Sequence, residues 1–209
     1  MKRILFIIDP LSSLIAYKDT TVFMMQHVKK ENHQVFFCEP KDLYYSEGSV
    51  KVWFKEVMDP INSLEDVGLS KSSALLEFDY VFMRKDPPVD DKYIKTTYML
   101  EMVKDNVLVV NNPTALRAFN EKLSTLRFDK IIPNTIVCNG GDKDTIKEWT
   151  SNFKDGVVIK PLNLCGGEGI QKFDGRNFSS LDLVSNETYI LQEFIKFVFD
   201  GDNRFIILN

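Results

Sequence analysis

The chain has 209 residues, of which 44% are hydrophobic and 27% charged, a balance typical of a globular protein and not of a disordered one. A net charge of −4 does not favour non-specific nucleic-acid binding, and no stretch approaches the roughly 20 apolar residues of a membrane span. The three cysteines lie far apart with no C-x-x-C pair and no histidine cluster, so neither a disulfide framework nor a zinc site is indicated. We therefore predict a soluble, cytoplasmic protein.

The first half of the sequence alternates apolar runs with helical patterns. Strands are predicted at four short apolar runs, residues 4–8, 35–38, 79–83 and 107–110. Helices are predicted between them, near residues 20–28 and 91–104, and a hairpin at 43–52. This alternation predicts a doubly wound parallel sheet up to about residue 115. No glycine-rich turn follows any of these strands, so dinucleotide binding is not predicted here.

Charged residues follow two of the predicted strands, where open α/β sheets bind their ligands. Lys18 and Asp19 lie in the turn after the first strand, and Arg84 follows the strand at 79–83. An arginine can hold a carboxylate through two parallel hydrogen bonds, so Arg84 is a candidate for binding an anionic substrate. Taken alone, Asp19 is better explained as a helix cap, and the charged turn at Arg84 also fits an ordinary surface turn.

A glycine-rich loop follows the most distinctive strand of the second half. Residues 157–159 are β-branched, Lys160 and Pro161 end the strand, and three glycines follow at Gly166, Gly167 and Gly169. Such a strand aims an ammonium group, and a loop with little side-chain bulk lets backbone N–H groups close over phosphate oxygens. The loop matches neither the P-loop nor G-x-G-x-x-G. It predicts a polyphosphate site, although an ordinary glycine-rich hairpin would have the same sequence.

The elements around this loop complete a second unit. A helix is predicted from 114 to 123 and carries Lys122, which on its own could be an ordinary surface lysine. We expect a strand at 131–138, a helix at 144–153, a return strand at 169–173 and an apolar segment at 188–195. A turn at 200–204 leads into a final apolar run.

The order of these motifs resembles an ATP-grasp nucleotide site, with Lys122, Lys160, the glycine loop and then Gln192-Glu193-Phe194-Ile195. The string Met83-Arg84-Lys85-Asp86-Pro87-Pro88 resembles bacterial-type glutathione synthetases in particular. This resemblance extends in order along the whole chain. The resemblance implies an α/β fold. An N-terminal, Rossmann-like pre-ATP-grasp domain would span residues 1–116, followed by an incomplete α+β ATP-grasp domain. Its small subdomain would span residues 117–190, and its large subdomain would start at 191–209.

The resemblance also implies the reaction and its residues. γ-Glutamylcysteine would be joined to glycine with ATP and Mg²⁺, through an acyl phosphate and without a protein nucleophile. By matching position, the ATP-binding residues would be Lys122, Lys160, Gly166, Gly167, Gly169, Gln192, Glu193, Phe194, Ile195 and Asp202. Lys160 and Arg204 would be catalytic, and the substrate-binding residues would be Lys18, Asp19, Arg84 and Arg204.

Relatives of this family continue past residue 209, where their magnesium ligands lie. We therefore expect a C-terminally truncated synthetase with no metal ligand of its own, inactive by itself, whose full-length form is a homo-oligomer. Tripeptide formation by the purified chain would contradict this expectation. Two alternatives remain, another ATP-grasp carboxylate–amine ligase and a non-catalytic nucleotide-binding fragment.

Overall fold

The computed structural model describes residues 1–58, 68–201, 203 and 205. The chain forms two compact units, Met1–Phe119 and Asn120–Asn209. Among the described residues, no helix has both the length and the apolar character needed to cross a membrane.

The first unit is built on one sheet. Its strands are β1 (Arg3–Ile7), β2 (Gln34–Cys38), β3 (Leu43–Ser46), β4 (Ser49–Glu56), β5 (Lys71–Ala74), β6 (Tyr80–Met83) and β7 (Leu108–Val110). They lie in the order β3-β4-β2-β1-β6-β7, and β5 pairs with β4. The predicted parallel strands β2, β1, β6 and β7 are parallel, whereas β3, β4 and β5 extend the β2 edge in antiparallel pairs. The predicted hairpin is thus the β3–β4 pair.

Helices cover both faces of this sheet. They are α1 (Thr20–Lys30), α2 (Asp91–Glu101) and α3 (Pro113–Ala118). On one face, Phe6 of β1 packs with Met25 of α1. On the other face, Leu5 of β1 packs with Leu100 of α2. Because both faces of β1 are buried from Ile4 onward, its sequence there is continuously apolar instead of alternating. The doubly wound prediction is confirmed.

The second unit is a four-stranded antiparallel sheet with one helix. Its elements are β8 (Thr135–Asn139), α4 (Lys143–Thr150), β9 (Val157–Pro161), β10 (Gln171–Phe173) and β11 (Thr188–Glu193). The strand order is β10-β9-β11-β8. Ile146 of α4 packs on Val157, Ile159 and Leu191, so α4 covers one face of the sheet. The division predicted between residues 190 and 191 falls inside β11.

The predicted helix at 114–123 is wrong in its second half. α3 ends at Ala118, and Phe119 has extended backbone angles, φ −119° and ψ 92°. The Asn120 Oδ1 atom accepts hydrogen bonds from the N–H groups of Lys122 (2.9 Å) and Leu123 (3.0 Å). Asparagine competes with helices through such local side-chain bonds. The turn at Asn120 therefore starts a separate 3-10 helix, Leu123–Phe128, with Lys122 at its N-terminus.

Candidate functional site

A cavity of about 700 Å³ lies in the second unit against the sheet face that α4 leaves uncovered. Side chains of a strand alternate between its two faces. In β9, Val157, Ile159 and Pro161 are buried, whereas Val158 and Lys160 are half-buried and line the cavity. Five of the residues predicted to bind ATP line this one cavity, namely Lys160, Gln192, Glu193, Phe194 and Ile195.

A chain of hydrogen bonds fixes the direction of Lys160. Its Nζ atom donates to Gln192 Oε1 at 2.8 Å, and Gln192 Nε2 donates to Thr135 Oγ1 at 3.1 Å. The Thr135 hydroxyl in turn donates to the Pro133 carbonyl at 2.7 Å. Since the threonine proton is committed to Pro133, its oxygen accepts from the glutamine amide, and the glutamine oxygen is left facing the lysine. The Lys160 ammonium is thereby held at the wall of the cavity.

The positive charge of Lys160 is destabilised. Burial, and next the positive charge of Lys122, lower the pKa of Lys160 below its ordinary value. Among the described residues, no carboxylate lies within ion-pair distance of the Lys160 ammonium. A desolvated cation near a second cation is a favourable position for an anionic ligand, and perturbed groups in cavities are candidates for functional residues.

Lys122 holds the base of the glycine loop. Its Nζ atom donates to the backbone carbonyls of Leu164 (2.6 Å) and Leu162 (3.2 Å) and forms an ion pair with Glu121 at 3.0 Å. Lys122 was predicted to face phosphates, and the structure shows that it also fixes the loop predicted to cover them. Lys122 is therefore bonded to the loop, and its charge also acts on Lys160, so the loop and the two lysines lie together.

The three loop glycines all adopt the left-handed backbone, with φ of 63° at Gly166, 85° at Gly167 and 67° at Gly169. Only Gly169 is also crowded, because a Cβ atom there would lie 2.8 Å from Pro161 Cγ. Among the described residues, the N–H groups of these glycines have no hydrogen-bond acceptor. The glycines do not line the cavity itself, so any ligand contact would come from their backbone at its margin.

The segment after β11 presents backbone groups to the cavity. The Glu193 N–H donates to the Asn134 carbonyl at 2.9 Å, and the Asn134 amide donates to Glu193 Oε2 at 2.7 Å. The Phe194 N–H donates to the Gly156 carbonyl at 3.1 Å. Within the described part of the chain, the N–H of Ile195 has no acceptor. The segment is therefore fixed at two residues and leaves the next amide available to a ligand.

Sequence reasoning missed other residues of the cavity wall, including Val158, Ile170, Lys172, Phe197 and Val198. Strand alternation could have found Val158, since it shares a face with Lys160. Lys172 required the pairing register, in which it lies opposite Val158.

The candidate substrate residues lie in the first unit. Lys18, Asp19 and Arg84 line a pocket of about 320 Å³. Arg84 Nε donates to Thr21 Oγ1 at 3.2 Å, which leaves its terminal nitrogens available. Asp19 Oδ1 accepts from the N–H groups of Thr21 (2.7 Å) and Val22 (3.3 Å). Asp19 is thus the N-cap of α1, the role that its sequence position alone favours.

A largely buried ion pair fixes the turn that follows β6 and carries Arg84. The Lys85 ammonium lies 2.8 Å from Asp9 Oδ1, and Asp9 Oδ2 accepts from the Asp86 N–H at 2.8 Å. These two contacts join the ends of β1 and β6, which are neighbours in the sheet. The Lys85 charge is therefore engaged within the fold, and Arg84 and Lys18 remain the cationic groups of the pocket.

Two predicted residues, Asp202 and Arg204, lie outside the described residues. Within the part of the chain that is described, no group of three His, Cys, Asp or Glu side chains could hold a metal ion. We assign Mg²⁺ no ligand among the described residues.

The fold and the cavity define a class. Solved structures of the same fold include a RiPP-associated ATP-grasp ligase from Chryseobacterium gregarium, with a TM-score of 0.53 and 14% identity over 92% of this chain and 62% of that one. D-Alanine-D-alanine ligase from Helicobacter pylori gives a TM-score of 0.56 at 11% identity, covering 94% and 67% of the two chains. The chain has the ATP-grasp fold, preceded by a doubly wound domain.

Sequence comparison identifies the family. Residues 2–117 match the prokaryotic glutathione synthetase N-terminal domain, and residues 121–209 match the ATP-grasp domain of the same enzymes. Glutathione synthetase of Wigglesworthia glossinidia brevipalpis is 33% identical over all of this chain, and that of Prochlorococcus marinus subsp. pastoris is 34% identical over 99% of it. The chain spans 68% of the length of each. It belongs to the prokaryotic glutathione synthetases, a family of ATP- and Mg²⁺-dependent carboxylate–amine ligases.

Proposed function

We propose that the cavity of the second unit binds ATP, with the triphosphate at Lys160 and the base at Ile195. The single observation that carries this proposal is the desolvated Lys160 ammonium, which is held by Gln192 at 2.8 Å and has no carboxylate partner among the described residues. Val158 and Ile170 supply apolar walls for a flat base. The N–H of Ile195 would donate to the adenine edge, and the loop amides of Gly166, Gly167 and Gly169 would contact phosphate oxygens.

We propose glutathione synthesis as the reaction served by this site. A carboxylate of γ-glutamylcysteine would attack the γ-phosphorus of ATP and release ADP. The glycine amine would then attack the acyl phosphate, and inorganic phosphate would leave as the peptide bond forms. Such phosphoryl transfer needs positioning and charge neutralisation from the protein, and no nucleophilic side chain. Lys160 and Lys122 would supply neutralisation at the phosphates.

We further propose a role for each part of the chain. Residues 1–116 would form the domain that holds γ-glutamylcysteine, at Lys18, Asp19 and Arg84. Residues 117–190 would form the ATP-grasp small subdomain, and residues 191–209 the start of the large one. Asp202 would hold the ribose, and Arg204 would bind substrate and assist catalysis. We also propose a cytoplasmic, homo-oligomeric protein.

Calorimetric titration of the 209-residue chain with ATP tests nucleotide binding. We expect saturable binding below millimolar ATP, whereas no heat of binding up to several millimolar would contradict the proposal. A second titration with γ-glutamylcysteine, D-alanine and glycine tests the acid substrate. We expect γ-glutamylcysteine to bind and D-alanine not to bind. Preference for D-alanine would instead support another ATP-grasp ligase.

Arg84→Met tests the substrate pocket. The substitution removes the guanidinium that we assign to a substrate carboxylate, and γ-glutamylcysteine binding should weaken at least about ten-fold, since a charged hydrogen bond contributes about 1.5–3 kcal/mol. Arg176→Met is the matched control, because Arg176 is highly exposed and pairs with the nearby Asp174 at 3.5 Å. Equal binding by the Arg84→Met variant and the parent chain would remove Arg84 from the pocket.

A further inference from the structure

Lys172 lines the cavity without belonging to any motif of the nucleotide site. In the antiparallel pairing of β10 with β9, Lys172 lies opposite Val158, and Val158 lies opposite Gln192 of β11. Directly opposed residues of neighbouring strands point to the same side of a sheet. The side chain of Lys172 therefore shares a face with the residues that form the cavity wall.

The Lys172 ammonium lies over an aromatic ring and not beside a carboxylate. Its Nζ atom is 3.5 Å from the centroid of the Phe194 ring. In the described part of the chain, no acidic side chain lies within ion-pair distance of Lys172. The face of an aromatic ring attracts a cation electrostatically, so the ring is the principal electrostatic contact of this lysine.

Phe194 directly precedes Ile195, whose N–H we propose as the donor to the base. The preceding residue, Glu193, is held by Asn134, and the Phe194 N–H is held by the Gly156 carbonyl at 3.1 Å. The ring also contacts Phe199, with the centroids 5.9 Å apart. The segment after β11 is therefore held through the backbone bonds of Glu193 and Phe194 and through the contact of Lys172 with the Phe194 ring.

We infer that Lys172 is a positioning residue for the nucleobase, which holds Phe194 and thereby aims the N–H of Ile195 at the base. This inference rests on the proposed ATP site and names the device that sets its base selectivity. Adenine N1 can accept a hydrogen bond from that N–H, whereas guanine N1 carries a proton and cannot. Misplacing the amide should therefore weaken ATP binding more than GTP binding.

The test is calorimetry of the 209-residue chain with ATP and, by competition, with GTP. Lys172→Met should weaken ATP binding about five-fold, which corresponds to about 1 kcal/mol, and should weaken GTP binding less than about two-fold. Lys172→Arg retains a cation that stacks on rings and should bind ATP within about two-fold of the parent chain. Equal weakening of ATP and GTP would overturn the inference, because it would place Lys172 at the phosphates.

A double-mutant cycle tests whether Lys172 acts through the ring. If it does, Phe194→Leu and Lys172→Met should weaken ATP binding by similar factors, and the double variant should bind no more weakly than either single variant. Additive losses would overturn the inference, as would an equal loss in Lys154→Met, an exposed lysine that does not line the cavity.

Two controls separate misfolding and a lack of ATP binding from the effect of Lys172. Circular dichroism and thermal melting confirm that each variant is folded, and if Phe194→Leu is not, the contrast between Lys172→Met and Lys172→Arg decides alone. A parent chain that binds no ATP refutes the proposed function itself. If the parent chain binds ATP and the Lys172→Met variant binds it with the same affinity, only the proposed role of Lys172 is refuted.

Discussion

Lys160→Met separates binding from folding at the candidate site. The substitution keeps most of the apolar stem and removes the ammonium that donates to Gln192 at 2.8 Å. Burial and the nearby Lys122 lower the pKa of Lys160, so the folded state disfavours its charge. That cost is fully present below the lowered pKa and is relieved as the pH rises toward the ordinary value of 10.5. At pH 7 the methionine variant should therefore be at least as stable as the parent chain.

The loss of ATP affinity can be approximated from the same contacts. Two unit charges about 4 Å apart interact by about 4 kcal/mol at an effective dielectric constant of about 20. In the parent chain, Lys160 must exchange its bond to Gln192 for a phosphate oxygen, and a hydrogen bond to a charged group is worth about 2 kcal/mol. The net contribution of Lys160 to ATP binding is then about 2 kcal/mol, which corresponds to about 30-fold in the dissociation constant.

The assay is calorimetric titration with ATP together with urea unfolding at pH 7. Lys154→Met makes the same change of charge at an exposed position and should alter neither quantity. If Lys160→Met bound ATP like the parent chain, Lys160 would not contact the nucleotide. If the variant instead unfolded at much lower urea, the loss of binding would reflect misfolding and our reasoning about its destabilised charge would be wrong.

Three further variants test the loop and the first unit. Gly169→Ala should destabilise the chain by about 1–3 kcal/mol more than Gly167→Ala in urea unfolding, because only at Gly169 would the new Cβ lie 2.8 Å from Pro161; equal losses would contradict this. Bonds from a threonine hydroxyl, a lysine and an arginine lower the pKa of Glu101 to about 2, from an ordinary 4.5. The parent chain should therefore melt at a higher temperature than Glu101→Gln above pH 4.5, and this difference should disappear as the pH falls through about 2. A difference in melting temperature that stayed constant with pH would refute this prediction. Lys122→Met should accelerate amide hydrogen exchange at Glu168 and Ile170, whose N–H groups donate to loop carbonyls, because the two carbonyl anchors held by Lys122 are lost; unchanged exchange at these two amides would contradict the anchoring role.

The parts of the fold that sequence predicted are those set by local patterns. β1 could be predicted as a buried parallel strand because residues 4–8 are continuously apolar and are followed by Asp9-Pro10. Lys160 could be predicted near the end of a strand because it follows the apolar run at residues 157–159 and precedes Pro161. The cap at Asp19 followed from the preference of aspartate for the N-terminus of a helix.

Other features depended on contacts that sequence patterns do not contain. The apolar spacing of Leu116, Phe119 and Leu123 favours one continuous helix, yet two hydrogen bonds to the Asn120 side chain stabilise a turn within it. The position of Lys172 over Phe194 requires the register of β10 on β9 and the path of the chain after β11. Both are tertiary facts, and neither has a periodic signature.

The distribution of acidic side chains is consistent with the anionic ligand that we propose for the cavity. Glu121 pairs with Lys122, and Glu193 accepts a hydrogen bond from the neutral amide of Asn134 at 2.7 Å instead of pairing with a lysine. Among the described residues, no carboxylate therefore lies within ion-pair distance of Lys160 or Lys172, although Glu193 also lines the cavity. Burial, and next the positive charge of Lys122, make the charge on Lys160 costly and lower the pKa of this lysine. An entering phosphate would remove that cost, so the energy spent on burying the lysine is recovered on binding.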